Sequence, residues 1–336
     1  MSLLFADDDN SFMIKRLTPI DIFALGFMTF ALFLGAGNVI FPPGAGLAAG
    51  ANIWPTAFGF LITAVGLPLL TLIALARVGG GLAQLTAPLG GAAGVTLSVL
   101  VYLAIGPLFA TPRTTVVSYE IGVLPFVSDS WQTLLGYSLI YFAAVIFLAL
   151  KPGQLMDRVG KYITPVLLAG LVLLGLAALF LPAGDMQAAS GQYRDAPMIQ
   201  GFLQGYLTMD TLGALVYGIV ITTAIRDRQV NSAPLITRYT VMAAVIAATG
   251  LSLVYLSLFY LGSTSGSLVE PGVNGGQILA AYVQYRFGTA GSALLALVII
   301  LACMTTAVGL LTACGEYFSK LLLLSYSAVV WLFGLF

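Results

Sequence analysis

The sequence predicts an all-α polytopic membrane protein, and three observations carry that prediction. Hydrophobic residues make up 60% of the 336 and charged residues only 8%, against about 25% charged in a soluble domain. Apolar stretches long enough to cross a bilayer, which takes about 20 residues, recur along the chain. Two of them, the first and the sixth, are interrupted in the middle by glycines and polar residues. A formal net charge of zero excludes a broadly basic nucleic-acid surface. With no histidine and 2 cysteines, soft metal sites and Ser-His or Cys-His catalytic pairs cannot be assembled. Cys303 and Cys314 share one apolar segment at a separation of about 16 Å, too far for a disulfide, and read as packing residues.

Residues 1–20 read as a cytoplasmic N-terminal tail, because Asp7-Asp8-Asp9 precedes Lys15-Arg16 and no cleavage site follows a short apolar core. Thr18-Pro19-Ile20-Asp21 has the form of a helix start, with a capping hydroxyl, an early proline and an acid at the positive helix end. Asp21 is therefore a cap rather than a site. The first span, residues 22–50, carries Gly35-Ala36-Gly37-Asn38 at its middle. Inside hydrocarbon, irregular backbone survives only where it lines a protein cavity, so the break points to a binding site. Free amides on one side of it suit an anion and free carbonyls on the other suit a cation, which together fit a zwitterion travelling with a metal ion. Asn38 needs a partner at that depth, either an ion or its own loop backbone. The spacing of Gly46 and Gly50 reads as close helix packing.

Spans two to five follow at residues 54–76, 94–118, 131–150 and 162–181, so that residues 21–181 make a first five-helix repeat; residues 182–199 are an external loop. Residues 200–336 then form a partial second repeat, with helices six (201–225), seven (240–261) and eight (291–314) and the start of a ninth near Leu321. The sixth carries Thr208, Asp210, Thr211 and Gly213 about ten residues in, which at about 1.5 Å per residue sets Asp210 near the midplane. Intramembrane acids are expensive and usually functional, so Asp210 reads as a contact for a cationic ligand or the carrier of a coupling proton. The bland alternative is a protonated acid, or one paired with Arg113; the alternative for Arg113 itself is to snorkel to the headgroups. Thr305 and Thr306 in the eighth span offer adjacent hydroxyls to an alkali cation, or bond back to carbonyls one turn earlier. Residues 262–276 read as a plain linker, with a lid as the alternative. Glycine-broken segments at corresponding positions in two halves signal a five-plus-five inverted repeat with a midplane site. Of the 13 basic residues, ten fall on the side of the N-terminus, two opposite (Arg194, Arg286) and one within a span (Arg113), a positive-inside pattern with the N-terminus cytoplasmic.

Three stretches, Gly35 to Pro43, Gly106 to Arg113 and Gly205 to Gly213, closely resemble the BrnQ-type branched-chain amino acid carriers of bacteria, and the resemblance runs from Asp21 to about Ser325. It implies a LeuT-like inverted-repeat symporter fold and uptake of leucine, isoleucine and valine with Na⁺, or H⁺, across the inner membrane. By similarity to that wider fold group, amides around Gly35, Ala36 and Gly37 would hold the substrate carboxylate. Carbonyls near Ala31 and Leu34 would join Thr305 and Thr306 around one Na⁺, with Asn38 serving a second ion position. Thr208, Asp210, Thr211 and Gly213 would face the amino group and aliphatic side chain, and Tyr102, Phe109 and Tyr206 are candidates for the apolar pocket. Twelve spans are usual in that family, so the chain is expected to have an incomplete second repeat and, as the alternative function, to be a truncated, transport-inactive remnant. An intramembrane aspartyl protease is the enzyme alternative, but it needs two close carboxylates and only Asp210 lies deep in a span.

Overall fold

In a computed structural model, which describes residues 16–335 apart from positions 80 and 271, helices account for nearly all of the chain and no strand is present among the described residues. The acidic run Asp7-Asp8-Asp9 and Lys15 lie outside the described residues. The helices are α1 (Pro19–Phe33), α2 (Ala36–Ala49), α3 (Ile53–Leu61), α4 (Leu67–Val78), α5 (Leu82–Thr86), α6 (Gly91–Leu103), α7 (Ala110–Gly122), α8 (Trp131–Ala149), α9 (Thr164–Phe180), α10 (Pro197–Tyr206), α11 (Asp210–Arg226), α12 (Ala233–Thr264), α13 (Gly275–Leu322) and α14 (Tyr326–Leu335). Among the described residues six helical stretches are long and apolar enough to cross a membrane, and the bent pair α10–α11 makes a seventh.

Local chemistry explains the element ends. Thr18 Oγ1 accepts the Asp21 N–H at 3.2 Å and starts α1, as the sequence predicts. Gly50, at φ +47°, ends α2 and turns the chain into α3, a conformation that glycine adopts without the clash a Cβ brings. Wide π-helical turns bend the second, third and fifth spans at Ile62–Gly66, Ala104–Leu108 and Met156–Ile163. The seventh and eighth helices are longer than expected. α12 reaches Thr264, and α13 starts at Gly275, passes a kink at Gly288 (φ +58°) and continues to Leu322. The connection read as a linker over residues 262–276 is thus helical at both ends, with one short helical turn at 266–268 between them, and at its far end a Cβ on Gly275 would sit 1.8 Å from the Ile40 carbonyl oxygen of α2.

Small residues let the helices around the two breaks approach at backbone distance. α10 lies on α3, with the Gly201 Cβ position 1.8 Å from the Thr56 carbonyl oxygen, and α2 crosses α12, with the Gly46 Cβ position 2.2 Å from that of Phe259. The packing role expected of Gly46 is therefore met. Both cysteines are buried and free. One end of the bundle gathers charge: Lys161 Nζ lies 2.8 Å from Asp157 and 3.4 Å from Asp21, and Arg228 reaches the same two acids at 2.5 and 3.5 Å. Asp21 joins this cluster in addition to capping α1. The Thr237 hydroxyl donates to the Ala76 carbonyl at 3.1 Å and sets the end of α4, with Arg77, beside the start of α12, with Arg238. Arg194 and Arg286 instead bond the carbonyls of Ala189 and Pro182, in the connection between the halves.

Gly201→Val places branched carbon against the α3 backbone and should destabilise the bundle by about 1–3 kcal/mol or more, whereas Gly136→Ala, with nothing within 4 Å of its Cβ position, should hold or gain about 0.5–1 kcal/mol. Melting temperatures of the purified variants in one detergent check the contrast; a Gly201→Val protein as stable as the parent contradicts the close α3–α10 approach.

Candidate functional site

The two chain breaks meet. In the first, α1 ends at Phe33, Leu34 and Gly35 leave helical geometry, and Ala36 to Asn38 form the opening turn of α2; the non-helical pair thus lies slightly ahead of the expected 35–38. In the second, residues 207–209 join α10 to α11 with a bend of 41°, and Met209 takes a left-handed φ of +64°, which costs a side-chain-bearing residue about 1–2 kcal/mol. A Cβ on Gly37 would lie 3.3 Å from the Thr208 Cα, so the start of α2 abuts the second break.

Asn38 ties the two together. Its Nδ2 donates to Asp210 Oδ2 at 2.6 Å and also to the Tyr255 hydroxyl, which in turn donates to Asp210 Oδ2 at 3.1 Å. Its Oδ1 accepts the Gly35 N–H at 3.1 Å. Asn38, Asp210 and Tyr255 are 2%, 5% and 0% exposed, where an unpartnered polar group is costly. Phe60 packs edge-on against Tyr255 at 5.2 Å. Both donors converge on one carboxylate oxygen, Oδ2. Neither Lys nor Arg lies within ion-pair distance of it among the described residues.

A small cavity of about 50 Å³ lies at this junction, lined by Ala36, Gly37, Thr208, Asp210 and Gly213. The N–H groups of Ala36 and Gly37, in the first turn of α2, have no intrahelical acceptor, and the helix dipole adds positive potential there. The amide of Gly35 is already engaged by Asn38. Thr208 donates to the Gly205 carbonyl at 2.8 Å and accepts the Asp210 N–H at 3.4 Å. The Thr211 hydroxyl points 3.5 Å from the Thr63 carbonyl, off the cavity wall. Phe33, Ile105, Tyr217 and Leu310 supply an apolar side, and Phe33 meets Tyr217 edge-on at 5.3 Å.

At the carboxyl end of α1 the Ala31 carbonyl receives Thr305 Oγ1 at 3.0 Å and Thr306 Oγ1 at 3.3 Å. Thr305 also lies 3.0 Å from the Ala302 carbonyl, the back-bond expected as the alternative to ion ligation, and its contact with Ala31 is an addition to it. Leu34, fully buried, follows one turn on. These are neutral, hard oxygens at the negative end of a helix, a donor chemistry that fits an alkali cation. The Asn38 side chain, read from sequence as part of a second ion position, here spends its oxygen on Gly35 and its nitrogen on Asp210 and Tyr255.

The aromatic residues proposed for the apolar pocket are elsewhere. Tyr102 stacks on Tyr317 with centroids 4.2 Å apart, and Phe109 and Tyr206 are 67% and 48% exposed on outer faces, because the break at Gly106 to Phe109 and the end of α10 rotate them outward. Tyr217 lines the cavity instead, and Tyr255 bonds Asp210. A buried tyrosine needs a partner for its hydroxyl, but with 15 tyrosines in the chain that signal singles out neither.

Residues 18–336 match the family described as branched-chain amino acid transport protein. The branched-chain amino acid transport system 2 carrier protein of Pseudomonas aeruginosa is 65% identical over 321 residues, 96% of this chain and 74% of that one. The permease BrnQ of Escherichia coli K12 is 55% identical over 322 residues, covering 96% and 73%, and the permease BraB of Bacillus subtilis 45% over 329, covering 96% and 73%. Among solved structures, a Na⁺-coupled sialic acid symporter in a substrate-bound outward-open state superposes with a TM-score of 0.57 at 14% identity over 94% of this chain and 71% of that one. MhsT in complex with L-phenylalanine gives 0.60 at 19% over 96% and 78%. These likenesses establish the LeuT-like, inverted-repeat fold.

Asn38→Ala strips a donor from both Asp210 and the Tyr255 hydroxyl, buried losses of about 1–3 kcal/mol each, and leaves the Gly35 N–H to the Phe33 carbonyl at 2.7 Å, whereas Tyr255→Phe removes a single donor from Asp210. Melting temperature in detergent should therefore fall further in Asn38→Ala than in Tyr255→Phe, and equal or reversed losses would refute the network.

Proposed function

This chain belongs to the branched-chain amino acid transport protein family, whose matched relatives are named carriers and permeases rather than enzymes, and on that premise we propose that it is a secondary symporter importing leucine, isoleucine or valine with Na⁺. The observation that carries the reading is the meeting of the two breaks, which sets the free amides of Ala36 and Gly37 and the carboxylate of Asp210 on one cavity. An amino acid presents an anion and a cation two bonds apart along its backbone. The α2 amides take the carboxylate, Asp210 Oδ1 takes the ammonium group, and the side chain lies among Ile105, Leu310 and Tyr217. Thr208 and Gly213 shape the wall beside Asp210; Thr211 acts through the turn Ile62–Gly66, at the Thr63 carbonyl.

Na⁺ is bound where α1 ends, by the carbonyls of Ala31 and Leu34 and the hydroxyls of Thr305 and Thr306. Rotation of the two hydroxyls away from Ala31 turns their lone pairs to the ion. The neutral oxygen set favours Na⁺ over H⁺, and the sialic acid symporter of like fold is Na⁺-coupled. Coupling follows from position, since substrate and ion sit on the two sides of one break in the same helix pair and each stabilises the unwound backbone that the other needs. Asn38 holds Asp210 in place and is assigned no ion.

The basic residues Arg77, Lys161, Arg228 and Arg238 collect at one end of the bundle, which supports a bacterial inner-membrane placement with that end and the N-terminus cytoplasmic. The repeats run over residues 21–181 and from residue 200 onward, joined by residues 182–199. An inactive remnant is not favoured by a family match that takes in residues 18–336.

Proteoliposomes given an inward Na⁺ gradient should accumulate labelled leucine, and a pH gradient alone should not; equal uptake on a pH gradient without Na⁺ replaces the ion by a proton. The Thr305→Ala/Thr306→Ala pair should raise the Na⁺ concentration for half-maximal uptake about tenfold or more, and Asp210→Asn should weaken leucine binding by about 10- to 100-fold.

A further inference from the structure

The cavity holds a cation that the preceding assignments leave idle. Arg113 lines it with Ala36, Gly37 and Asp210 and forms no ion pair with a described residue. The kink at Gly106, where ψ is −115°, and the π-helical turn Ala104–Leu108 place Arg113 in the first turn of α7, nine residues before its end at Gly122. At about 1.5 Å per residue that is about 14 Å from the end of the helix, too deep for the guanidinium to be read as a headgroup anchor. It lies instead over the Phe41 ring, 5.1 Å from the centroid, and that ring in turn covers Gly37, whose Cβ position is 3.1 Å from Phe41 Cε2. Phe41 thus holds the guanidinium above the opening turn of α2, on the side of the cavity where the amides are free.

A guanidinium in an apolar span is retained only against a strong counter-interaction. The cation–π contact supplies part of one, but Phe41 has no charge to offer, and a planar donor fork matches a carboxylate in two-point geometry. We infer that Arg113 is a substrate-binding residue, which closes over the α-carboxylate from the third span while the Ala36 and Gly37 amides hold it from below. The site is then charge-matched at both ends of the zwitterion, Arg113 for the carboxylate and Asp210 for the ammonium group. It follows that selection for free amino acids over their amides or esters resides mainly in this one side chain. The inference rests on the reading of the cavity as an amino acid site.

Competition against labelled leucine by leucinamide, which keeps the ammonium group and the isobutyl chain but lacks the anion, tests it in proteoliposomes or in detergent. The wild type should prefer leucine to leucinamide by about tenfold or more. Arg113→Gln should lose leucine affinity by a similar factor while leucinamide affinity is unchanged, so that the preference collapses, and Arg113→Lys should keep an intermediate preference. A folded Arg113→Gln protein that retains the full wild-type preference overturns the assignment. Should Arg113→Gln not fold, Arg113→Lys decides the matter: a preference equal to that of the wild type, despite the lost two-point geometry, overturns it as well. Failure of the wild type to bind leucine at all would instead remove the amino acid reading beneath it.

Discussion

A helix that is broken inside a membrane must find partners for the groups it frees, and here one side chain organises them. Asn38 caps the Gly35 amide with its oxygen and, with its nitrogen, holds Asp210 and Tyr255, so a residue of the first break fixes the carboxylate of the second. Without that bridge the carboxylate would be a buried charge with the Tyr255 hydroxyl as its remaining side-chain donor in this network, and the left-handed turn at Met209 would lose its anchor on the first break. The amides of Ala36 and Gly37 are available because the first turn of α2 gives them no intrahelical acceptor, while the neighbouring Gly35 N–H is held by Asn38 and by the Phe33 carbonyl. Stability of the junction and readiness to bind a dipolar ligand come from the same set of contacts.

The surrounding helices hold the junction in register. α2 crosses α12 and α10 crosses α3 at glycine contacts that admit no side chain, and α13 buttresses the first break through Thr305 and Thr306 on the Ala31 carbonyl. In the proposed transport cycle, a displacement of α13 away from α1 would open the proposed cation position and loosen the backbone next to the Ala36 and Gly37 amides together. At one end of the bundle Asp21, Asp157, Lys161 and Arg228 tie α1, the start of the fifth span and the connection after α11. These side chains are half-buried, and ion pairs that keep access to water are individually worth little, so the cluster holds this end of the bundle by number rather than by any single pair.

Much of this was legible in the residues alone. Composition specified the class, and Gly35 to Asn38 with Thr208 to Gly213 marked both breaks, because a helix interrupted in hydrocarbon has so few physical explanations. The cap at Thr18 and the close packing at Gly46 were readable for the same reason, each being a local rule with a local cause. What stayed hidden depends on rotation about helix axes that periodicity does not report. Tyr255 reaches Asp210 from a helix whose sequence carries no break, and the kink at Gly106 turns Phe109 outward and Arg113 inward. The helix at Gly275 was obscured by the glycines and serines around it, of which Gly262 and Gly275 act as contact surfaces against α2.

The account turns on one geometric claim, that the ligand lies across both breaks with its charges divided between them. A leucine-bound experimental structure in Na⁺ tests this most directly. The expected result is a leucine carboxylate within hydrogen-bond distance of the Ala36 and Gly37 amides and the Arg113 guanidinium, with its ammonium group on Asp210. A leucine bound away from residues 36–37 and 210, with those groups left as they are here, would contradict it.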